Sequence, residues 1–411
     1  MRDRAMDFGV RSAKGSLVLR VLLVGPQPAP PFRGGVEKGV DLLLRTMLAA
    51  GTRMRVFDNY RTRDPHRPLW ERLLYQLGML RKFHRELLAA ATDLVHVKTS
   101  SGINFYQNTL YALVARLLGY PVVFQIHCGK FESFYRSSHP LLRAWIRHSL
   151  AKSRGVVVLS ESLAQRMSAI VPTARIIVVP NGLGDEERDL LLGSGRRSKT
   201  QVLFMGAGEE ATNREKGLDD LLAVLPELTR RFPDPKWVLA GLHDPLNARE
   251  QVRGVAGAKV SGEPWIFRGI VEGHERVNLL KESSILVLPS YFENMPNILL
   301  EAMASGMGVV ATSVGAVPEM LGGGEGGILI SPGDRQGLSK ALGRMLASPG
   351  TVQAQGARNR SIVEEKYSMS VVQERLERTY REALGLYEIS MDSKREVLTE
   401  TLPHVTPGDR Q

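Results

Sequence analysis

Residues 285–306 read ILVLPSYFENMPNILLEAMASG. The opening run is too short and too rich in branched aliphatic residues for a buried helix, so it reads as a strand buried on both faces. A loop follows, and Pro296 suits the first turn of the next helix, where its missing N–H is not needed. A buried strand that feeds a helix through a loop is half of a β-α-β unit, the building block of parallel sheets. Such a helix opens with unpaired amides at Asn297, Ile298 and Leu299, a ready site for a pyrophosphate. Glu293 precedes the helix and Glu301 lies about five residues into it, roughly 7–8 Å further along the axis at 1.5 Å per residue. Carboxylates touching phosphate would repel it. The pair therefore reads as acceptors for hydroxyls on either side of the anion, one set from a sugar and one from a ribose.

The same alternation extends outward in both directions. Strand candidates fall at 20–25, 54–57, 93–97, 122–125, 155–159 and 175–179, then at 201–205, 237–240, 265–267, 285–288, 309–312 and 327–330. Amphipathic stretches lie between them, such as 36–50, stopped by Gly51. The expected fold is α/β, two doubly wound Rossmann-like domains facing across a cleft, with the carboxyl ends of both sheets turned toward it. The first domain spans 1–183, with about 1–18 as a flexible lead-in. Residues 184–200 (GDEERDLLLGSGRRSKT) form a polar linker. The second domain covers 201–366. A last helix at 367–388, with Val372, Leu376, Tyr380 and Leu384 at helical spacing, packs back toward the first domain, and 389–411 is a flexible tail.

Composition narrows the classes. The single cysteine, Cys128, excludes an intramolecular disulfide framework and a cysteine-based structural zinc site. No apolar run approaches the ~18 residues of a spanning helix and the first residues lack an apolar signal core, so the expectation is a cytoplasmic protein. Residues 1–180 carry 27 Lys/Arg against 11 Asp/Glu, whereas 181–411 carry 27 against 32. A basic first half points to an anionic surface, polymer or substrate.

The pattern E-x7-E followed by AMASG, VVAT, Gly315 and Pro318-Glu319 resembles the retaining GT-B glycosyltransferases of family 4 (glycosyl transferases group 1). Gly34-Gly35, DLVHV, a strand ending at His127, VLSES, VPNG at 179–182 and KG at 216–217 agree in order, so the resemblance covers roughly 20–385. It implies transfer of a sugar from a nucleotide-sugar donor to an acceptor with retention of anomeric configuration, in polysaccharide or glycolipid synthesis of bacterial type. It assigns Gly34 and Gly35 to close approach of backbone to the donor phosphate or the incoming acceptor, His127 to the donor sugar near its reacting carbon, and Lys216 to the diphosphate. Glu293 holds sugar hydroxyls, and Glu301 and the amides at 297–299 complete the donor site. The arginine usual after the preceding strand is missing from QVLFMGAGEE, and Arg214 is the residue placed to replace it. Gly308 stands where proline is common, and Pro296 removes an amide that a glycine would offer.

A nucleotide diphosphate is already a good leaving group, so the reaction needs charge stabilisation more than a strong acid. No Asp-x-Asp triplet occurs, so a metal-bridged diphosphate is not expected; the nucleotide-sugar enters as substrate, and no cofactor is expected. Residues 61–92 and 133–154 mix Arg and Lys with Trp70, Leu73, Leu74, Tyr75, Leu77, Leu80 and Phe83, and with Tyr135, Trp145 and Ile146. Basic helices of that kind suit an anionic membrane surface, and a lipid-linked or saccharide acceptor. An equally simple reading turns the aromatics into the core. No nucleic-acid-binding motif accompanies the basic face, so nucleic acid is not expected. A sugar-nucleotide epimerase or phosphorylase of the same fold and a silent binding subunit are the alternatives. The run Gly206-Ala207-Gly208-Glu209-Glu210-Ala211 mimics a dinucleotide fingerprint, but no acidic residue ends the next strand to hold a ribose.

Overall fold

The computed structural model describes residues 10–11, 17–29, 35–49, 51–59, 68–192, 200–256 and 264–386. Strands β1 (Val10–Arg11) and β2 (Leu17–Val18) pair as a small antiparallel ribbon. A six-stranded sheet follows, made of β3 (Arg20–Gly25), β4 (Arg53–Asp58), β5 (Leu94–Thr99), β6 (Val122–Ile126), β7 (Gly155–Val158) and β8 (Ile176–Val178). Its order is β4-β3-β5-β6-β7-β8, all parallel. The second sheet comprises β9 (Gln201–Met205), β10 (Lys236–Ala240), β11 (Trp265–Phe267), β12 (Ile285–Leu288), β13 (Gly308–Thr312) and β14 (Gly327–Ile330). It runs β11-β10-β9-β12-β13-β14, again all parallel. This is the two-domain α/β fold the sequence predicts, every expected strand falling within two residues of its observed place.

Helices cover both faces of each sheet, which is why the strands are apolar throughout. In the first sheet Leu22, Val24, Val95, Val97 and Phe124 face one core, while Val21, Leu94, Val123 and Val157 face the other. The second sheet splits the same way, Leu203, Val238 and Leu286 against Val202, Leu239 and Val287. The helix Met369–Ala383 lies in the core of the first sheet through Val372, Leu376 and Tyr380, although it follows the second sheet in sequence. His96 on β5 fixes it there, its Nδ1 2.6 Å from the Tyr380 hydroxyl.

The polar segment read as a linker contains the helix Asp185–Leu192, with Leu191 fully buried. Three acidic residues in its first turn complement the helix dipole, and one buried leucine anchors it. The chain passes between domains at two adjoining places: Leu183 bridges Ser368, and its N–H donates to the Tyr367 carbonyl at 2.9 Å.

Candidate functional site

Each sheet has a switch point where successive connections diverge to opposite sides, leaving a crevice at the strand ends. In the second sheet it lies between β9 and β12. The loop after β9 is braced by Asn213, whose Oδ1 accepts from the Ala207 N–H at 2.9 Å and whose Nδ2 donates to the Gly241 carbonyl at 3.1 Å. A Cβ on Gly206 would stand 2.4 Å from that Oδ1. The glycine of the fingerprint-like run thus makes room for a buried asparagine rather than for a cofactor phosphate.

A short helix, Glu210–Glu215, follows, which the sequence does not announce because EATNRE carries no apolar period. Lys216 ends it, and Gly217, at φ +75°, starts the helix Leu218–Arg231. A Cβ on Gly217 would lie 2.1 Å from the Pro289 carbonyl oxygen. That close approach carries Lys216 across the switch point, where its Nζ sits 3.1 Å from Glu293 Oε1. Ser290 Oγ donates to the same oxygen at 2.9 Å, and Thr312 Oγ1 donates to the Ser290 carbonyl at 2.5 Å. The 291–295 loop is gripped further by Gly315, where a Cβ would meet the Glu293 carbonyl at 2.2 Å, and by the Ala316 N–H on the Asn294 carbonyl at 2.8 Å.

The helix after the loop is Asn297–Ala304, one residue later than expected, with Pro296 as its cap. The Asn297 and Ile298 amides stand at the helix start, but the Leu299 amide is turned inward and donates to the Pro296 carbonyl at 3.1 Å. Leu299 therefore leaves the set of free anion donors. Glu301 also differs from expectation. Its side chain is buried, with Oε1 3.4 Å from Lys38 Nζ and Oε2 paired with Arg276. Lys38 pairs in addition with Glu187 at 2.6 Å. Burial lowers the Lys38 ammonium, but the charges of Glu301 and Glu187 outweigh it and the net shift is upward. Glu301 is thus the centre of an ion cluster that joins the helix Gly35–Ala49, the interdomain helix and the second domain.

Arg214 does not turn toward Lys216. It is exposed and pairs with Glu210 one helical turn back. Gly35 begins the helix Gly35–Ala49, while Gly34 lies outside the described residues.

The first sheet supplies the facing wall. His127 follows β6, and its carbonyl accepts from Asn294 Nδ2 at 2.9 Å, which brings it beside the 291–295 loop. Burial first, and the Lys98 charge second, push the imidazole down to about 4, so it stands neutral at pH 7 with Nδ1 unpartnered. Asn294 Oδ1 is buried and unpartnered as well. Gly129 lets the turn approach, for a Cβ there would lie 2.9 Å from the Phe292 ring, and Lys130 stacks over that ring at 4.8 Å. Asn181 at the domain crossing donates to the Met295 carbonyl at 3.3 Å and to Asn297 Oδ1 at 3.1 Å. Glu319 caps the first domain's helix Glu161–Ile170 by accepting from the Glu161 N–H at 3.0 Å. The structure therefore gathers His127, Lys216, Glu293 and Asn297 at one interface. It adds Ser290 and Lys98, and also Asn294, Lys38 and Arg276, which sequence reasoning missed because their partners are distant in the chain.

Residues 33–187 match the description Glycosyltransferase Family 4 and residues 199–348 match Glycosyl transferases group 1, so the two together span most of the chain. Among curated relatives, the alpha-D-kanosaminyltransferase of Streptomyces kanamyceticus is 26% identical over 331 residues, 76% of this chain and 82% of that one. The phosphatidyl-myo-inositol mannosyltransferase of Mycolicibacterium smegmatis is 27% identical over 76% of this chain and 77% of its own length. In fold, sucrose-phosphate synthase from Thermosynechococcus elongatus superposes with a TM-score of 0.66 at 20% identity, covering 90% of this chain and all of that one. Anabaena HepE in complex with UDP gives 0.66 at 15% identity, covering 88% of this chain and 99% of its own. Sequence motifs, two doubly wound domains and the residues gathered between them agree: the chain belongs to the group 1, family 4 glycosyltransferases, and it is a glycosyltransferase of the GT-B fold.

Proposed function

We propose that the enzyme takes its sugar from a nucleotide-sugar donor seated at the β9/β12 switch point and transfers it with retention of configuration and without a metal ion. The observation that carries this reading is the Lys216–Glu293 pair, held at 3.1 Å across that switch point and opposite His127. The related fold of HepE holds UDP in one solved structure and UDP-glucose in another, which supports a nucleotide-sugar donor.

On this reading Lys216 exchanges part of its contact with Glu293 for the diphosphate, where negative charge grows as the glycosyl–oxygen bond breaks. The amides of Asn297 and Ile298 bind the same anion at the positive end of their helix. Glu293, steadied by Ser290, accepts from sugar hydroxyls. Neutral His127 offers a hydrogen bond near the reacting carbon without adding a charge that would oppose the developing oxocarbenium. The acceptor oxygen bonds to the anomeric carbon on the face that the phosphate leaves, and its proton passes to the departing phosphate. The residues need supply no nucleophile.

The acceptor is lipid-linked or a saccharide, and the enzyme works at the cytoplasmic face of a membrane in polysaccharide or glycolipid synthesis. Support comes from the helix Leu69–Ala89. Phe83 and Leu87 are buried, as the core reading expects, but Trp70, Leu73, Leu74 and Leu77 are each more than half exposed and share one helical face. Exposed Arg81, Lys82 and Arg85 extend the surface beyond them. That combination suits insertion among anionic lipid headgroups. No described helix is long and apolar enough to cross a membrane.

The test is a thermal-shift panel of UDP-, GDP-, ADP- and TDP-sugars with and without EDTA. A ligand at 100 times its dissociation constant stabilises by ~2.7 kcal/mol, a readable shift. One nucleotide class should raise the melting temperature equally in both conditions. A response abolished by EDTA would defeat the metal-free reading, and no response to any sugar nucleotide would defeat the donor assignment.

A further inference from the structure

The cations bordering the interface are almost all neutralised by the protein itself. Lys216 faces Glu293, Lys38 faces Glu187 and Glu301, Arg276 faces Glu301, Lys130 faces Glu215 and Arg214 faces Glu210. Lys98 breaks the pattern. It lies near the carboxyl end of β5, and its ammonium has neither an ion pair nor a hydrogen bond among the described residues.

Its position is specific. In the first sheet β3 and β5 are neighbours while β4 lies on the far side of β3, so the switch point of this sheet is at the ends of β3 and β5. Lys98 stands there, its Cβ 3.6 Å from where a Cβ on Gly25 would be, at the end of β3. Its register partner on β6 is Gln125, two residues before His127. Lys98 and Gln125 both line an open-mouthed pocket, with Asn181, Asn297 and the mutually paired Lys38, Glu187 and Glu301 on its other sides. Desolvation lowers the Lys98 ammonium to about 8, and its charge reaches His127. A lysine left half-buried without a counter-ion costs the fold stability, and such a cost marks a group kept for a ligand.

We propose that Lys98 binds a phosphate group of the acceptor, with the side-chain amide of Gln125 beside it, at the switch point of the first sheet. This rests on the donor assignment above: a transferase holds two substrates, and the crevice of the second sheet serves the donor. Lys98 stands at the switch point of the first sheet and not at the Lys216–Glu293 crevice, so its charge is assigned to the other substrate. A compact ammonium with three donors suits a phosphate oxygen.

The full-length protein, its Lys98→Met variant and its Lys98→Arg variant are titrated calorimetrically with inorganic phosphate, and separately with UDP. Lys98→Met should bind phosphate at least about tenfold more weakly, Lys98→Arg should recover most of the affinity, and UDP should bind all three within about twofold. Without ligand, Lys98→Met should melt above wild type, because an uncompensated charge leaves a partly apolar site. A lysine serving the fold would give the opposite shift. Sedimentation with phosphatidylglycerol vesicles identifies the source of the phosphate. Pelleting that weakens about tenfold in Lys98→Met assigns a lipid phosphate, and pelleting that is unchanged beside a lost phosphate response assigns a soluble phosphate ester. Unaltered phosphate affinity in Lys98→Met overturns the proposal. So does a parallel loss of UDP, which would place Lys98 at the donor diphosphate. Phosphate binding through Lys98 in a protein that binds no nucleotide overturns the donor assignment while leaving the Lys98 site standing.

Discussion

The two sheets share a topology class and end in crevices of opposite electrostatic character. At β9/β12 the protein supplies both charges, Lys216 and Glu293, and fixes them with a loop held by Ser290, Gly315 and Ala316. At β3/β5 it supplies a lone ammonium, Lys98, and a neutral His127. A charge-balanced crevice can wait for its ligand at little cost, whereas an unbalanced one holds stability in reserve until an anion arrives. The comparison also explains packing. The β9/β12 turn is built on contacts that only glycine permits, while the other crevice has space around its strand end.

The largest expected effect is on turnover. Lys216→Ala should lower transfer by about 10²–10³-fold, the loss of roughly 3–4 kcal/mol of transition-state stabilisation, with an unchanged circular-dichroism spectrum. Wild-type turnover in the variant would break the donor-side half of the comparison. Next comes Gly217→Ala, which sets a Cβ against the Pro289 carbonyl at a residue with φ +75°. It should cost about 3 kcal/mol in denaturant midpoint measurements. The matched change in the first sheet, Gly25→Ala, meets only ordinary contact with Lys98 at 3.6 Å. It should cost less than about 1 kcal/mol, and equal losses at the two glycines would erase the packing contrast.

A third difference appears on acidification. His96 is lowered to about 3 by burial, then by the charge of Lys98, and His127 to about 4 by the same causes. Below the usual imidazole value near 6.5 the unfolded chain binds more protons than the folded one, so stability falls as pH drops through that range toward the folded values. Each histidine should remove about 2 kcal/mol by pH 5, read as a shift in denaturant midpoint. His96→Gln, which cannot titrate, should flatten that slope. The smallest effect belongs to Arg214, exposed and paired with Glu210. Arg214→Ala should alter stability by less than about 0.5 kcal/mol, and a donor affinity reduced more than about tenfold would restore it to the site.

The strands were legible because sheets covered on both faces demand short, branched, apolar runs, and these stand out between polar turns. The helix Asp185–Leu192 was not legible, since GDEERDLLLGSG has the composition of a linker and one buried leucine is too little signal. Lys216, Glu293 and Asn297 could be nominated from local spacing, because strand-end and helix-start chemistry repeats over few residues. Their pairings could not. Glu301 looked free in sequence and is enclosed by Lys38 and Arg276 from separate segments. Lys98 went unnoticed for the complementary reason: a cation after DLVHV reads as a solvated strand end until topology places it at a switch point.

The most direct test of the central claim is calorimetric titration of the nucleoside diphosphate selected by the sugar-nucleotide panel, in EDTA, against wild type and Lys216→Met. Wild type should bind without a metal ion, and the variant at least about tenfold more weakly. Equal affinity in the two proteins would contradict a donor diphosphate held at the β9/β12 crevice.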